Sequence, residues 1–244
     1  MTDDRYLDKL QNDAKFVLPL YILVDHSYSM AMKDECNQAI DAANDMIPTI
    51  MDVCSKAHNA DERARFCIIG FNSKAEVVAP LSRGTDLQPH KFEAEYQTDY
   101  AEAFRLLRKR LEEDYYSLKQ DDFKVYRAMV FMITDGQPTS DPTEAFNELK
   151  DPDFQRSPNL TIIGIGKYVT IEDIKPYKIG RGKALLIKDT SAEEALSAIV
   201  KDLIQTVVNT ANQDSFNQGS GDDDEIDGFI EDLLEETDMY FEEA

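Results

Sequence analysis

Positive charge is scarce in this chain. Its 244 residues hold 26 Lys+Arg against 48 Asp+Glu, a formal net charge of −22. That balance argues against nucleic acid and anionic membranes as partners, because both reward basic patches. It favours cations or basic protein surfaces. Cysteine is sparse too: Cys36, Cys54 and Cys67 form no C-x-x-C and are odd in number. A reduced intracellular compartment, with the three as small apolar fillers, is the simpler reading. The N-terminus, MTDDRYLDKLQND, is acidic and polar and lacks the pattern of a secretory signal. No apolar run approaches the ~18 residues that a membrane span needs. The expected location is therefore cytoplasmic. Histidine is limited to His26, His58 and His90, too scattered for a Ser-His-Asp or Cys-His grouping.

Apolar residues are plentiful, at 42% of the chain, enough for a core of ordinary size. FVLPLYILV (16–24) and AMVFMIT (128–134) are near-continuous apolar runs, the mark of strands buried on both faces of a parallel sheet. NLTIIGIG (159–166) is a third such strand, and ALLIKD (184–189) a short fourth. RFCIIGF (65–71) and AEVVAPL (75–81), joined by a tight turn at Asn72-Ser73, predict one antiparallel pair at the sheet edge. Helical spacing occupies 33–56, with a kink expected at Pro48, and 100–116 forms a strong amphipathic helix. Further helices are expected over roughly 142–150 and 191–210. Strands alternating with helices define an open, mostly parallel, doubly wound α/β sheet with helices on both faces. One domain accounts for 16–210, after a polar lead-in over 1–15.

In such a sheet, ligands bind outside the carboxyl ends of the strands. YILVDHSYSM (21–30) places Asp25, Ser27 and Ser29 there, and Asp135 stands at the same end of the 128–134 strand. Two carboxylates with hydroxyls make a hard-oxygen set that suits Mg²⁺, admits Mn²⁺ or Ca²⁺, and suits Zn²⁺ poorly because no His or Cys joins it. Taken alone, Asp25, Ser27 and Ser29 serve equally well as a capped turn. Thr98 by itself reads as a helix N-cap, and Asp99 as a partner of the helix dipole. An aspartyl phosphotransferase would want D-x-D, but position 27 is Ser. Gly164 and Gly166 lack the third Gly and the Lys-Ser/Thr of a phosphate loop. An enzyme is disfavoured.

DHSYSM resembles the D-x-S-x-S motif of von Willebrand factor A (VWA) domains, which opens their metal-ion-dependent adhesion site. The family's distal Thr matches Thr98 in YQTDYAEAF, and its distal Asp matches Asp135 in ITDGQPTS. The resemblance covers 16–210 and implies a Rossmann-like VWA fold. It implies that Ser27, Ser29 and Thr98 bind metal directly or nearly so, with Asp25 and Asp135 partly through water. It further implies a vacant coordination position that accepts a carboxylate from a protein partner. LPLYILVD, FNSKAEVVAPL and VFMITDGQPTSD are similar to the TerY-type branch found with bacterial tellurite-resistance and stress-response systems, which implies kinase or phosphatase partners. Two positions depart from the family: Tyr28 stands where Gly is usual, and His26 where Thr or Ser is common. These two are expected to set specificity at the rim of the site.

Composition changes after the domain. Residues 211–221, ANQDSFNQGSG, are linker-like, and 222–244 hold twelve acidic and no basic residues. Within that tail Ile226, Phe229, Ile230, Leu233 and Leu234 form one apolar stripe at helical spacing. A solvated tail and a helix that docks into a partner's groove are both open readings. The tail is also placed to offer a carboxylate to the metal in cis, and Gly219-Ser220-Gly221 resembles an engineered linker. The function expected overall is a non-enzymatic, divalent-cation-dependent protein-interaction module. A metal-dependent phosphotransferase or phosphohydrolase subunit and a metal-free scaffold are the alternatives.

Overall fold

The computed structural model describes residues 16–31, 39–166, 169–187 and 241–243, with residues 194, 197, 198, 200 and 201 beside them. The lead-in over 1–15, Cys36, the linker and the apolar stripe of the tail lie outside the described residues. Strand β1 (Phe16–Asp25) is buried at every position after the first, as a run of this composition requires. It lies in the middle of the sheet, parallel to β2 (Ala64–Phe71) on one side and to β5 (Met129–Thr134) on the other. The two-residue β4 (Lys124–Val125) also pairs with β1, at Phe16 and Val17. Pairing towards β5 resumes only at Leu20, so the interruption falls at Leu18 and Pro19. Pro19 has no N–H to give to a ladder, which makes that break tolerable inside a central strand.

Beyond β2 runs β3 (Ala75–Ser82), antiparallel to it, as the Asn72-Ser73 turn predicts. On the other side follow β6 (Asn159–Gly164) and β7 (Ala184–Ile187), both parallel. The sheet ends on β8 (Phe241–Glu243), antiparallel to β7 with Ile187 opposite Phe241. The spatial order is β3-β2-β1-β5-β6-β7-β8. The expectation of one antiparallel edge strand holds for β3; β8 adds a second at the opposite edge, drawn from the segment read as tail.

Helices cover both faces. Helix α1 (Ala39–Lys56) runs through Pro48 and packs Ala42, Ala43, Met46, Ile47, Ile50 and Cys54 against Leu20, Ile22 and Val24 of β1. A short α2 (His58–Arg63) leads into β2. Helix α3 (Tyr100–Gln120) and α4 (Thr143–Leu149) pack on the opposite face, against Tyr21 and Leu23. Alternate residues of β1 thus feed two separate cores, as period-2 geometry dictates. Helix α3 outruns its expected end at residue 116 because the buried stripe continues through Leu118. A one-turn α5 (Ile171–Ile174) precedes β7. Of the helix expected over 191–210, the five described positions are helical, with Val200 against the α1-side core. Cys54 and Cys67 are free thiols, both buried. Among the described residues no helix is long and apolar enough to cross a membrane.

This winding creates the place for a site. From β1 the chain passes to α1 on one face, whereas from β5 it passes to α4 on the other. The adjacent carboxyl ends of β1 and β5 therefore part company and leave a crevice between them, the topological switch point of an open sheet.

At the β6–β7 join, a Cβ on Gly182 would stand 1.8 Å from the Leu160 carbonyl oxygen, a backbone atom with no freedom to retreat. Gly182→Ala should cost about 3 kcal/mol through overpacking, read as a lower urea midpoint at unchanged slope. An unchanged midpoint would mean that this close approach does not exist.

Candidate metal centre

Strand β1 delivers Asp25 to the crevice fully buried, one step beyond the Val24–Ile133 pair that joins β1 to β5. The chain then turns on itself. The Ser27 amide donates to Asp25 Oδ1 at 2.8 Å, and a single 3₁₀ turn over Tyr28–Ala31 closes with Met30 N donating to Ser27 O at 3.1 Å. On the neighbouring strand the Thr134 hydroxyl donates to Asp25 Oδ2 at 2.7 Å. Each oxygen of Asp25 therefore holds one neutral donor.

The remaining donors form a line. Thr98 Oγ1 donates to Ser27 Oγ at 2.9 Å, and Ser27 Oγ lies 3.1 Å from Ser29 Oγ. Ser29 Oγ in turn donates to Asp135 Oδ1 at 2.7 Å. The hydroxyls form a line from Thr98 through Ser27 and Ser29 to Asp135, either serine being able to donate to the other. All five residues expected at the site are thus brought together from three separate segments. Asp25, Ser27, Thr98 and Asp135 are all buried; Ser29 is half-buried.

Helix α3 explains why Thr98 is available. The N-cap is Asp99, whose carboxylate accepts from Ala101 N at 2.9 Å and Glu102 N at 3.4 Å. The N-cap expected of Thr98 is therefore corrected by one residue. With Asp99 satisfying the helix amides, the Thr98 hydroxyl is left to face Ser27.

Tyr100 and Thr134 also support the site, and sequence reasoning missed both. Tyr100 OH donates to the Gly136 carbonyl at 2.6 Å and lies 3.2 Å from Thr134 Oγ1, fixing the turn that carries Asp135. Thr134 directly precedes the Asp-Gly pair, so its position at a strand end was readable; the role of Tyr100 required the packing of α3 on the sheet. His26 does not enter the cluster. Its Nδ1 lies 3.0 Å from Glu93 O and its ring packs near Phe92, which ties it to the loop before α3. Tyr28 is 64% exposed beside the cluster. His90 is exposed, as its isolated position in the sequence suggests.

Burial dominates the electrostatics. Desolvation pushes the Asp25 carboxyl from 3.8 up to about 6, against the opposing hydrogen bonds from Ser27 and Thr134, and the charge of Asp135 adds to the rise. Among the described residues no Lys or Arg side chain binds Asp25, which accepts from the Ser27 amide and the Thr134 hydroxyl. Asp25, held by neutral donors, and the nearby Asp135 concentrate carboxylate charge at these strand ends. An all-oxygen set of carboxylates and hydroxyls fits a hard divalent cation completed by water. Among the described residues no three His, Cys, Asp or Glu cluster for a metal, so such a site relies on the hydroxyls.

The open sheet with a switch-point crevice defines an α/β domain built to present loops at one end. Residues 20–137 match the family model of the von Willebrand factor type A domain, and the chain therefore contains a VWA domain. Such domains commonly mediate protein interactions through a metal-ion-dependent adhesion site. Three solved structures share the fold. A von Willebrand factor type A protein of Catenulispora acidiphila is 16% identical with a TM-score of 0.58, covering 79% of this chain and 43% of its own. The PilB minor pilin of Streptococcus sanguinis is 12% identical with a TM-score of 0.56, covering 86% and 64%. Proximal thread matrix protein 1 of the mussel byssus, with a zinc-occupied MIDAS motif, is 15% identical with a TM-score of 0.50, covering 80% and 48%. The chain spans less than two thirds of each of them. No curated protein matches the sequence.

The raised Asp25 value carries a pH dependence. Unfolded, Asp25 titrates near 3.8; folded, near 6. The fold holds that proton more tightly, so Asp25 contributes stability below pH 3.8 that is lost as the pH rises through about 6. Asp25→Asn cannot ionise and escapes the loss. In metal-free buffer its stability relative to wild type should climb across that window, by up to about 3 kcal/mol. Parallel pH profiles for the two proteins would contradict the burial of an unpaired carboxyl.

Proposed function

We propose that this protein is a divalent-cation-dependent protein-interaction module. The reading is carried by one observation: the line of hydroxyls from Thr98 through Ser27 and Ser29 to Asp135, alongside a buried Asp25 that no basic side chain among the described residues neutralises. Asp25, Ser27, Ser29, Thr98 and Asp135 would hold the ion, with Mg²⁺ preferred and Mn²⁺ or Ca²⁺ admitted by the oxygen set. When bound, a cation left short of ligands supplies an electrophilic position for a carboxylate from outside.

The chain's own residues do the rest. Asp25 is anchored from two sides, so its oxygens keep a fixed orientation. The hydroxyls keep their oxygens directed at one another across three loops. No histidine reaches Ser27 or Ser29, and the carboxylate that accepts from Ser29 is one the proposed ion would engage. The module is read as non-enzymatic. A cytoplasmic stress-response role of the TerY type, with kinase or phosphatase partners and the acidic tail as a separate docking element, extends this proposal and rests on the sequence resemblance alone.

Calorimetry and partner capture test it. Mg²⁺ at a hundredfold its Kd should stabilise the wild-type chain by about 2.7 kcal/mol and leave Asp25→Ala and Asp135→Ala unaffected. Partner capture should vanish in EDTA and in both variants while their circular dichroism is retained. Capture that survives EDTA would refute the reading. Removing the last 23 residues separates the contribution of the tail.

A further inference from the structure

Large apolar side chains are rarely left exposed in the described part of this protein. Three are: Tyr28 at 64%, Tyr96 at 67% and Tyr116 at 57%. Two of them belong to the site. Tyr28 lies between Ser27 and Ser29, Tyr96 stands two residues before Thr98, and Tyr28 N donates to Tyr96 O at 2.9 Å. One backbone bond thus yokes the two exposed rings to adjacent loops, each within two residues of a hydroxyl of the cluster. A second bond of the same kind, Glu95 N to His26 O at 2.9 Å, keeps the loops in register.

Tyr96 is held there against its own preference. Its φ is +65°, in the left-handed region where a side chain costs about 1 kcal/mol and where Gly or Asn would sit more easily. A strained backbone that holds a large ring out in water is a poor solution for folding. It is a good one for contact, because tyrosine gives a rigid, amphipathic face at low conformational cost.

Charge selects what the rings would meet. A carboxylate approaching the cluster comes up to a chain of net charge −22, with exposed Glu93 and Glu95 beside Tyr96 and Lys91 further along the same loop. An acidic segment alone would be repelled. A segment carrying Arg next to its acidic residue would not, since a guanidinium lies favourably over tyrosine faces and near Glu93 and Glu95.

We infer that Tyr28 and Tyr96 form a specificity rim, which recognises an extended partner segment bearing an Asp or Glu flanked by arginine. This rests on the reading of the cluster as a metal site that accepts a carboxylate. The rings choose among carboxylates; the cluster supplies the common attachment.

The test uses the full-length chain in Mg²⁺, ¹⁵N-labelled, titrated with three synthetic peptides that differ only beside a single Glu: arginine, citrulline or leucine. Dissociation constants come from chemical shifts. The arginine peptide should bind wild type about three- to fivefold tighter than the citrulline peptide. Tyr28→Ala and Tyr96→Asn, the latter keeping a residue that tolerates positive φ, should abolish that advantage and leave calorimetric Mg²⁺ affinity unchanged. Equal binding of the arginine and citrulline peptides, a leucine peptide as tight as the arginine one, an advantage that persists in both variants, or no saturable binding of the arginine peptide each overturns the rim. Asp25→Ala and EDTA report separately on the metal site. If arginine-dependent binding survives both, the metal reading fails and the rim stands; if binding needs the metal but ignores the tyrosines, the reverse holds.

Discussion

The site depends on one constraint: a carboxylate buried at the end of a central strand, with no cation among the described residues to neutralise it. Strand β1 is packed on both faces, so Asp25 leaves the sheet into a region already closed by Leu23, Val24 and the end of β5. Water is excluded, and desolvation favours the protonated acid. The fold answers only in part, with one amide and one hydroxyl. A second buried carboxylate, Asp135, sits at the next strand's end and worsens the balance. What remains is a pair of buried carboxylates framed by hydroxyl oxygens.

The same face of the sheet shows how this protein buries an acid when burial is all that is required. Asp114 of α3 is also buried, and desolvation raises its pKa as well. There, however, the Arg110 guanidinium pairs with the carboxylate, and Tyr21 OH donates to it at 3.0 Å. A full counter-charge and a phenol lower what burial raises. Both Tyr21 and Asp25 lie on β1, four residues apart, so the contrast is not one of fold region. It lies in what each acid is given: a permanent cation in the interior, and only neutral donors at the rim. That difference separates a structural acid from the one that the proposed function assigns to an ion.

Much of this was legible in the chain itself. The runs at 16–24, 128–134 and 159–166 could only be strands buried on two faces, and such strands fix the layer order and the end at which a site must lie. Asp25, Ser27, Ser29 and Asp135 followed from residue type at strand ends, and Thr98 from the resemblance to the family's motif. The parts not legible have physical reasons. Two-residue β4 and three-residue β8 have no pattern of their own; each exists because a neighbouring strand offers an edge. Thr98 and Asp99 are both good N-cap types, and only the backbone geometry decides between them. Tyr100 reads as one more position of an apolar helical stripe, and its hydroxyl bond to Gly136 depends on where α3 lands. The positive φ of Tyr96 leaves no trace in composition.

The loops that bear the site are tied together by their backbones more than by the site itself. Thr139 donates twice to the Thr98 carbonyl, through N at 2.8 Å and Oγ1 at 2.7 Å, joining the loop after β5 to the start of α3. Asp99 N donates to Asn72 O at 2.9 Å, joining α3 to the β2–β3 turn, and Tyr28 N and Glu95 N are bonded between the loops after β1 and before α3. These bonds are made within the chain, so the hydroxyl oxygens are positioned by folding. Ordering entropy that would otherwise oppose binding is then already spent. The same ties mean that a loop cannot shift alone: moving Ser27 pulls on Tyr96, and moving Thr98 pulls on Thr139. A shift of the cluster therefore pulls on the head of α3 and on the loop that precedes α4, through contacts that the fold has already made.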